Sequence, residues 1–310
     1  MDPEVSILLH CAPCRGLREG QVQVELSPRY NRQSFPALEV RIAELWSQRV
    51  AREPWLFNGA KFRLHAASLR DRGDPGQAAP ALSLLLGLTC YRDFLGTNWS
   101  AEAQALRSRG AAELGDPLAF LAQPLGVGGV VVTADGLVVF LRRSLKVGEA
   151  PGLIDIPGGH PEPKTVAPEV SEDSITVEQL CGRRVVRELF SSVLTEIRDE
   201  VNVPLACLSE PVLLGIALNH TSAGRPSAEF YIRCTLTSAD VRELYWQGGP
   251  EAQESTNIVF IGREEVLRLD TSAPLWSELC PSAKGAVLLY QAVLRTGSDE
   301  DLRAPDCVHT

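Results

Sequence analysis

One stretch constrains the fold more than any other. From about Thr176 to Val201, apolar residues recur at 186, 189, 190, 193, 194, 197 and 201, the spacing of a long amphipathic helix with one buried face. Such a stripe needs an apolar partner surface, and strand patterns lie on both sides of it in the chain. Upstream, "GVGGVVVTADGLVVFLRR" holds two β-branched runs joined by Ala134, Asp135 and Gly136. Asp and Gly tolerate the positive φ of tight turns, so this reads as a hairpin. "GLIDIPGG" gives a third strand ending in a breaker, and "KTVAPEVSEDSI" a polar connection. Downstream, "PVLLGIAL" (211 to 218), "AEFYIRCTL" (228 to 236) and "TNIVFI" (256 to 261) read as strands, with helices from about Ser238 to Trp246 and over 282 to 294. The pattern predicts an α/β (α+β) fold, a mixed sheet packed between helices.

The 310 residues suit one large domain or two of moderate size. The first 120 mix a strand at 21 to 27, a helix at 37 to 53 and a buried strand running into a loop at 81 to 94; "RDRGDPGQAAP" between them is a surface loop. We expect an N-terminal α+β domain over 1 to 120, a second domain over 121 to 295, and a disordered polar tail over 296 to 310.

A net charge of -9 speaks against a nucleic-acid binder, which needs clustered Lys and Arg. No run of eighteen apolar residues could cross a membrane. The start, "MDPEVSILLHCAPC", is acidic and its apolar run too short for a signal peptide, so the expected location is intracellular, cytoplasmic with the nucleus left open. The eight cysteines are too scattered for a disulfide framework. Cys11 and Cys14 form a CxxC without a second pair, and with no strand before it or helix after it in the pattern, so neither zinc nor redox chemistry is indicated.

The helix ends in "LTEIRDEVNVP" (194 to 204). Glu196 and Glu200 stand one above the other with Asp199 beside them, while Val193 and Ile197 face the core. Like charges at i,i+4 near a helix C-terminus oppose both each other and the macrodipole, and a hard divalent cation would remove that penalty. A solvated acidic face is the plain alternative. Upstream, "IDIPGGHPEP" ends a strand in Pro157, Gly158 and Gly159 and offers Glu162 nearby.

Glycines, an acid, then a helix with this spacing resemble the Nudix box of magnesium-dependent pyrophosphohydrolases, G-x5-E-x7-R-E-U-x-E-E-x-G-U. With Gly159 as the first glycine, Glu196, Ile197, Asp199, Glu200 and Val203 match. Thr165 replaces the first glutamate, Thr195 the arginine and Asn202 the glycine, and the spacer is far longer than seven. Asn is the next best residue for a left-handed helix end, and Pro204 reinforces the stop. A register on "REL" (187 to 189) puts Ser191 and Ser192 where acids are needed. Beyond the box, "PWLFNGAKFRLH", "GLTCYRDFLGTNW", "APGLIDIPGGHPEP", "ELFSSVLTEIRDEVN" and "ELCPSAKGA" resemble a divergent Nudix branch, the UDP-glucose (UDP-sugar) pyrophosphatases, over roughly residues 1 to 295.

The resemblance implies a Nudix α/β/α sandwich and Mg²⁺-dependent hydrolysis of UDP-glucose and UDP-galactose to UMP and the sugar 1-phosphate. It implies Glu196 and Glu200 as Mg²⁺ ligands and catalytic groups, with Glu162 as a further catalytic carboxylate. It implies substrate contacts from Phe57, Tyr91, Arg143, Gly148, Asp155, His160, Glu162 and Ser282, with Arg143 clamping the diphosphate and the two aromatics holding the nucleotide. Core packing for Phe57, a solvated strand end for Arg143 and a helix cap for Ser282 are the bland counterparts. The expected partner is a small nucleotide sugar, with no nucleic acid, membrane or protein partner evident. Another nucleoside diphosphate derivative as substrate, or a silent Nudix-like binding module, stays open at this point.

Overall fold

The computed structural model describes residues 2 to 70 and 81 to 294; the loop read at 70 to 80, past Arg70, and the tail read at 296 to 310 lie outside them. The first half runs β1 (Val5–His10), β2 (Val22–Leu26), α1 (Pro36–Arg52), β3 (Ala60–Leu69), β4 (Leu82–Cys90), α2 (Tyr91–Gly96) and α3 (Ala103–Leu114). The hairpin region gives β5 (Gly126–Val132), β6 (Leu137–Arg143), β7 (Ile154–Asp155) and β8 (Gly158–Gly159), then α4 (Pro163–Val166) and the long α5 (Gly182–Val201). The rest is β9 (Val212–Asn219), β10 (Arg225–Arg233), α6 (Ser238–Gln247), β11 (Ser255–Gly262), α7 (Arg263–Arg268), α8 (Pro274–Glu278) and α9 (Pro281–Leu294).

The large sheet has the order β1-β9-β10-β5-β6-β11, with β7 on β6 and β8 on β5; β10 and β5 are parallel and the other neighbours antiparallel. A second sheet, β2-β4-β3, stands apart from it. Alternation along the central strands fills both faces. Val127 and Val131 of β5 with Val139 and Leu141 of β6 join one core, while Val130, Val132, Val138 and Phe140 join the other. The first core also takes Leu189, Phe190, Val193 and Ile197 of α5 and Phe62, Leu82, Leu84 and Leu86 of the small sheet, so α5 lies between two sheets. The second takes Ala283, Val287, Leu289 and Tyr290 of α9. The result is an α/β/α sandwich with the small sheet as an outer layer on α5.

Several elements differ from the sequence reading. The long helix begins at Gly182, not near Thr176, because the Gln179 side chain accepts from the Thr176 N–H at 2.8 Å and closes a separate turn. After β4 the chain forms α2 where a loop was expected; the Asn58 side-chain Oδ1 accepts the Arg92 N–H at 2.8 Å and satisfies one early donor of the helix. A strand does precede Cys11: β1 pairs with β9 at the sheet edge. Directly after Cys11 the chain makes a 3₁₀ turn, Ala12–Cys14, in place of an α-helix, and Cys11 itself is buried. Asn202 ends α5 as expected, at φ 64° in the left-handed region, its N–H donating to the Arg198 carbonyl at 2.8 Å. Among the described residues no helix is long and apolar enough to cross a membrane.

Residues on either side of position 120 are stitched together. Leu64 donates to the Gln123 carbonyl and Leu125 to that of Phe62, so the segment entering β5 first runs beside β3. Arg63, only 1% exposed, sits at this seam. Its guanidinium donates to the carbonyls of Tyr30 and Leu118 at 2.8 Å and of Leu121 at 3.1 Å, and burial pulls its pKa down to about 10. Arg63→Met should lower the unfolding free energy by roughly 3 kcal/mol or more, since each buried carbonyl that loses its donor costs about 1–3 kcal/mol. Urea unfolding measures this; an unchanged midpoint would remove Arg63 as the tie between the two segments.

Candidate active site

The site opens where the predicted hairpin comes apart. β5 and β6 pair at Val132 and Val138 beside the turn, then diverge; β8 bonds to β5 and β7 to β6 in the widening gap. A cavity of about 190 Å³ fills the wedge, its wall including Arg143, Asp155, His160, Arg225, Glu229 and Ser282. Glycines make this approach feasible. A Cβ on Gly158 would strike the Val127 carbonyl, one on Gly159 the Glu196 carboxylate, and one on Gly128 the Glu229 carboxylate.

α5 presents its acids to the Gly158–Gly159 turn. Glu200, 7% exposed, accepts the Gly158 N–H at 3.1 Å, and Glu196 accepts the backbone N–H of His160. Neither has an ion-pair partner among the described residues. Burial and then the charge of Glu251 push Glu196 up to about 7; burial and then Glu196 push Glu200 well above the carboxylate range. Asp199 turns away to Arg198 at 2.6 Å, so it is tied at the surface. Its carbonyl accepts the Glu251 N–H at 3.0 Å, and Gly249 packs against the same group. This docks residues 248 to 254 on the end of α5 and brings Glu251 and Glu254 towards Glu196. Sequence reasoning passed over both acids; the Gly248, Gly249, Pro250 run marked a close approach but not to what.

Arg143, Asp155 and Ser282 converge from three elements. The Arg143 guanidinium donates to Asp155 at 3.0 Å and to the Glu149 carbonyl at 3.0 Å, and the Ser282 hydroxyl donates to Asp155 at 3.0 Å. Arg225 of β10 pairs with Glu149 at 2.9 Å, and Asn219 donates to the same carboxylate at 3.1 Å. The half-buried His160 ring lies 3.5 Å from Arg225; burial, then the charges of Lys61 and Arg225, hold its pKa well below the usual range, so it is neutral. Glu162 is drawn aside, its side chain 3.3 Å from Lys61 and its N–H donating to Glu188 at 3.0 Å. Glu188, which lies in the rejected register, is a buried brace for this loop, its pKa raised by burial.

The aromatic residues stand outside the wedge. Tyr91 meets Phe94 at 6.5 Å between centroids, and the Arg225 guanidinium lies 5.7 Å from the Phe94 ring. Phe94 meets Trp99, and a Cβ on Gly148 would touch the Trp99 ring, so Tyr91 and Gly148 belong to one rim beside Arg225. Phe57 is not brought there. It is 71% exposed and lines a second cavity with Trp46, Thr89 and Asp93.

Two desolvated carboxylates without a counter-ion fit a divalent cation. Among the described residues no three His, Cys, Asp or Glu side chains form a ready cage. That suits an ion that keeps waters and takes phosphate oxygens, as Mg²⁺ does.

No protein-family model matches the chain, in keeping with its altered box. Curated relatives do match. The uridine diphosphate glucose pyrophosphatase NUDT22 of Bos taurus is 57% identical over 94% of this chain and 98% of its own, and that of Homo sapiens is 54% identical over 98% of each. Nudix hydrolase 9 of Arabidopsis thaliana is 33% identical over 88% of this chain and 89% of its own. The fold and these relatives define an enzyme of the Nudix hydrolase class. The chain belongs to the Nudix hydrolase family, in the same branch as these relatives.

Glu229 lets the electrostatics be tested apart from the acids on α5. It is 0% exposed, and burial followed by the charge of Asp155 raises its pKa from 4.5 to about 8. The folded state therefore holds an extra proton between those values, and stability falls as pH rises through that window. Glu229→Gln abolishes the effect, so its melting temperature relative to the parent should climb from pH 4.5 to about 8 and then level off. A flat difference across that range would contradict the assignment.

Proposed function

We propose that the protein hydrolyses the diphosphate bridge of UDP-sugars, UDP-glucose and UDP-galactose, giving UMP and the sugar 1-phosphate, with Mg²⁺ held by Glu196 and Glu200. The observation that carries this reading is the stacked pair of unneutralised carboxylates, Glu200 buried and Glu196 half-buried, clamped by backbone donors from the Gly158–Gly159 turn and His160. The names and high identity of the relatives support the substrate class. Bound there, Mg²⁺ would supply charge neutralisation at the diphosphate and polarisation at phosphorus.

The chain's own groups do the rest. Arg143, held at Asp155 and the Glu149 carbonyl, is oriented to offer donors to a diphosphate oxygen. Neutral His160 binds without adding charge. Tyr91 and Gly148 with the Trp99 ring form the rim for the nucleotide, and exposed Phe57 would have to meet it from the neighbouring cavity. Two carboxylates are candidates to take the proton of an attacking water: Glu162, beside the turn but drawn to Lys61, and Glu254, which lines the cavity. Free thiols such as Cys90 and Cys207 support an intracellular place of action.

Purified protein incubated with a panel of nucleoside diphosphate sugars, with and without Mg²⁺, should release UMP from UDP-glucose and UDP-galactose only with the metal. Glu200→Gln should lower turnover at saturating Mg²⁺ by about 100-fold or more, with a metal-free melting temperature equal to or above the parent's because a like-charge contact is gone. Activity within a few-fold of the parent would remove Glu200 as a ligand. Glu162→Gln and Glu254→Gln assign the base: the variant that loses the acidic limb of the rate profile holds it, and two unaltered profiles would exclude both.

A further inference from the structure

Glu229 has no part in the chemistry above, yet the fold is built to keep it. It lies on β10 opposite Gly128 of the parallel strand β5, fully buried, with its carboxylate in the space a Cβ on Gly128 would need. Neither carboxyl oxygen makes a well-formed hydrogen bond; the Ser227 hydroxyl pulls on its acidity without completing one. A buried, unbonded carboxyl costs stability, and in most interiors such groups are paired. Here the group instead forms part of the wall of the wedge cavity.

The rest of that wall states what the carboxyl can meet. It offers Asn219, Arg225, Ser227, Asp155 and Ser282, with Val127 and Ile156 as apolar patches and no Phe, Tyr or Trp ring. The rings stand outside, at the rim formed by Tyr91, Phe94 and Trp99. A base stacks on aromatic faces, whereas a polyhydroxylated ring is bound by carboxyl, amide and hydroxyl groups at its edges. At about 190 Å³ the cavity is smaller than the ~300–1,000 Å³ pockets of whole drug-sized ligands, so it takes one moiety of the substrate.

We infer that Glu229 is a specificity-determining residue that hydrogen-bonds a hydroxyl of the hexose, making the inner wedge the sugar subsite. This rests on the UDP-sugar reading above. With its pKa pushed up to about 8, the group is a neutral carboxyl near pH 7 and can both donate and accept, as a hydroxyl requires. Only the correct hydroxyl completes its bonding, so a sugar lacking it leaves the carboxyl orphaned.

The test uses the full chain with Mg²⁺, as the parent, Glu229→Ala and Glu229→Gln. For each, kcat/KM is measured on UDP-glucose and on UDP-glucose lacking one sugar hydroxyl at a time, and the Kd of UMP by calorimetry. Glu229→Ala should lose tenfold or more in kcat/KM on UDP-glucose while UMP binds within twofold of the parent, and Glu229→Gln should recover part of the loss. The parent should disfavour at least one deoxy sugar tenfold or more, and Glu229→Ala should treat that sugar and glucose alike. Equal losses for UMP and UDP-glucose would place Glu229 at the nucleotide or in the scaffold and overturn the inference. Unchanged kcat/KM in Glu229→Ala, or discrimination that survives in it, would overturn it as well. A parent that neither hydrolyses nor binds UDP-glucose would instead sink the functional reading itself, and the sugar subsite with it. Melting temperatures guard against misfolding, and Glu229→Gln, isosteric and uncharged, keeps the test valid should Glu229→Ala unfold.

Discussion

The burial of the α5 stripe between two sheets is what the rest of the molecule depends on. Leu189, Phe190, Val193 and Ile197 are part of the core that α5 shares with both sheets, the helix packing on β5 of the large sheet on one side and on β2 of the small sheet on the other. Each such side chain contributes roughly 1.5–3 kcal/mol when removed from water. That gain fixes the helix in rotation. With Val193 and Ile197 inward, Glu196 and Glu200 have no choice but to face the Gly158–Gly159 turn. The repulsion between the acids, the loss of their hydration and an unfavourable helix end are each smaller than the burial that holds them there. The outer sheet is therefore more than a covering layer, because without it half of the stripe would face water.

The wedge arises from a second constraint, which is backbone geometry. Two strands that pair only beside their turn must each find other partners, and the two short strands β7 and β8 supply them. The gap between is where polar side chains from β9, β10 and the start of α9 can gather without breaking the sheet. The Asp155 carboxylate shows the economy of this arrangement: it accepts from Arg143, from Ser282 and from the Ile156 N–H at once. Such a junction holds Arg143 in one orientation, and a guanidinium already oriented loses less freedom when it meets an anion.

Much of this was legible in the chain, and what was not shares one cause. The period of α5, its end at Asn202 and the strands after it depend on local pattern, and the structure places each close to the reading. β1 was missed because "VSILLH" carries no alternation and becomes a strand only by pairing with β9. Glu251 and Glu254 were missed because their approach to Glu196 depends on a loop docking at the Asp199 carbonyl. Phe57 obeys the same rule: the resemblance grouped it with Tyr91, whereas the structure gives it to a separate cavity. Residues that meet through register, splay or docking leave no periodic trace.

Glu229 takes that argument to its limit. Read along β10, "SAEFYIR" puts Glu229 and Tyr231 on one face and Ala228, Phe230 and Ile232 on the other, which looks like a strand with one wet side. The strand is buried on both faces, so the acid becomes costly only once β5 is laid parallel beside it in the register that sets Gly128 opposite. Neither "GVGG" nor "AEF" says anything unusual alone. Together, in that register, a missing Cβ on one strand makes room for a carboxyl on the next, and the sheet interior gains a polar group whose partner the fold does not provide. A sequence can thus encode a recognition site as a vacancy and an acid more than a hundred residues apart, which only the pairing of strands brings into contact.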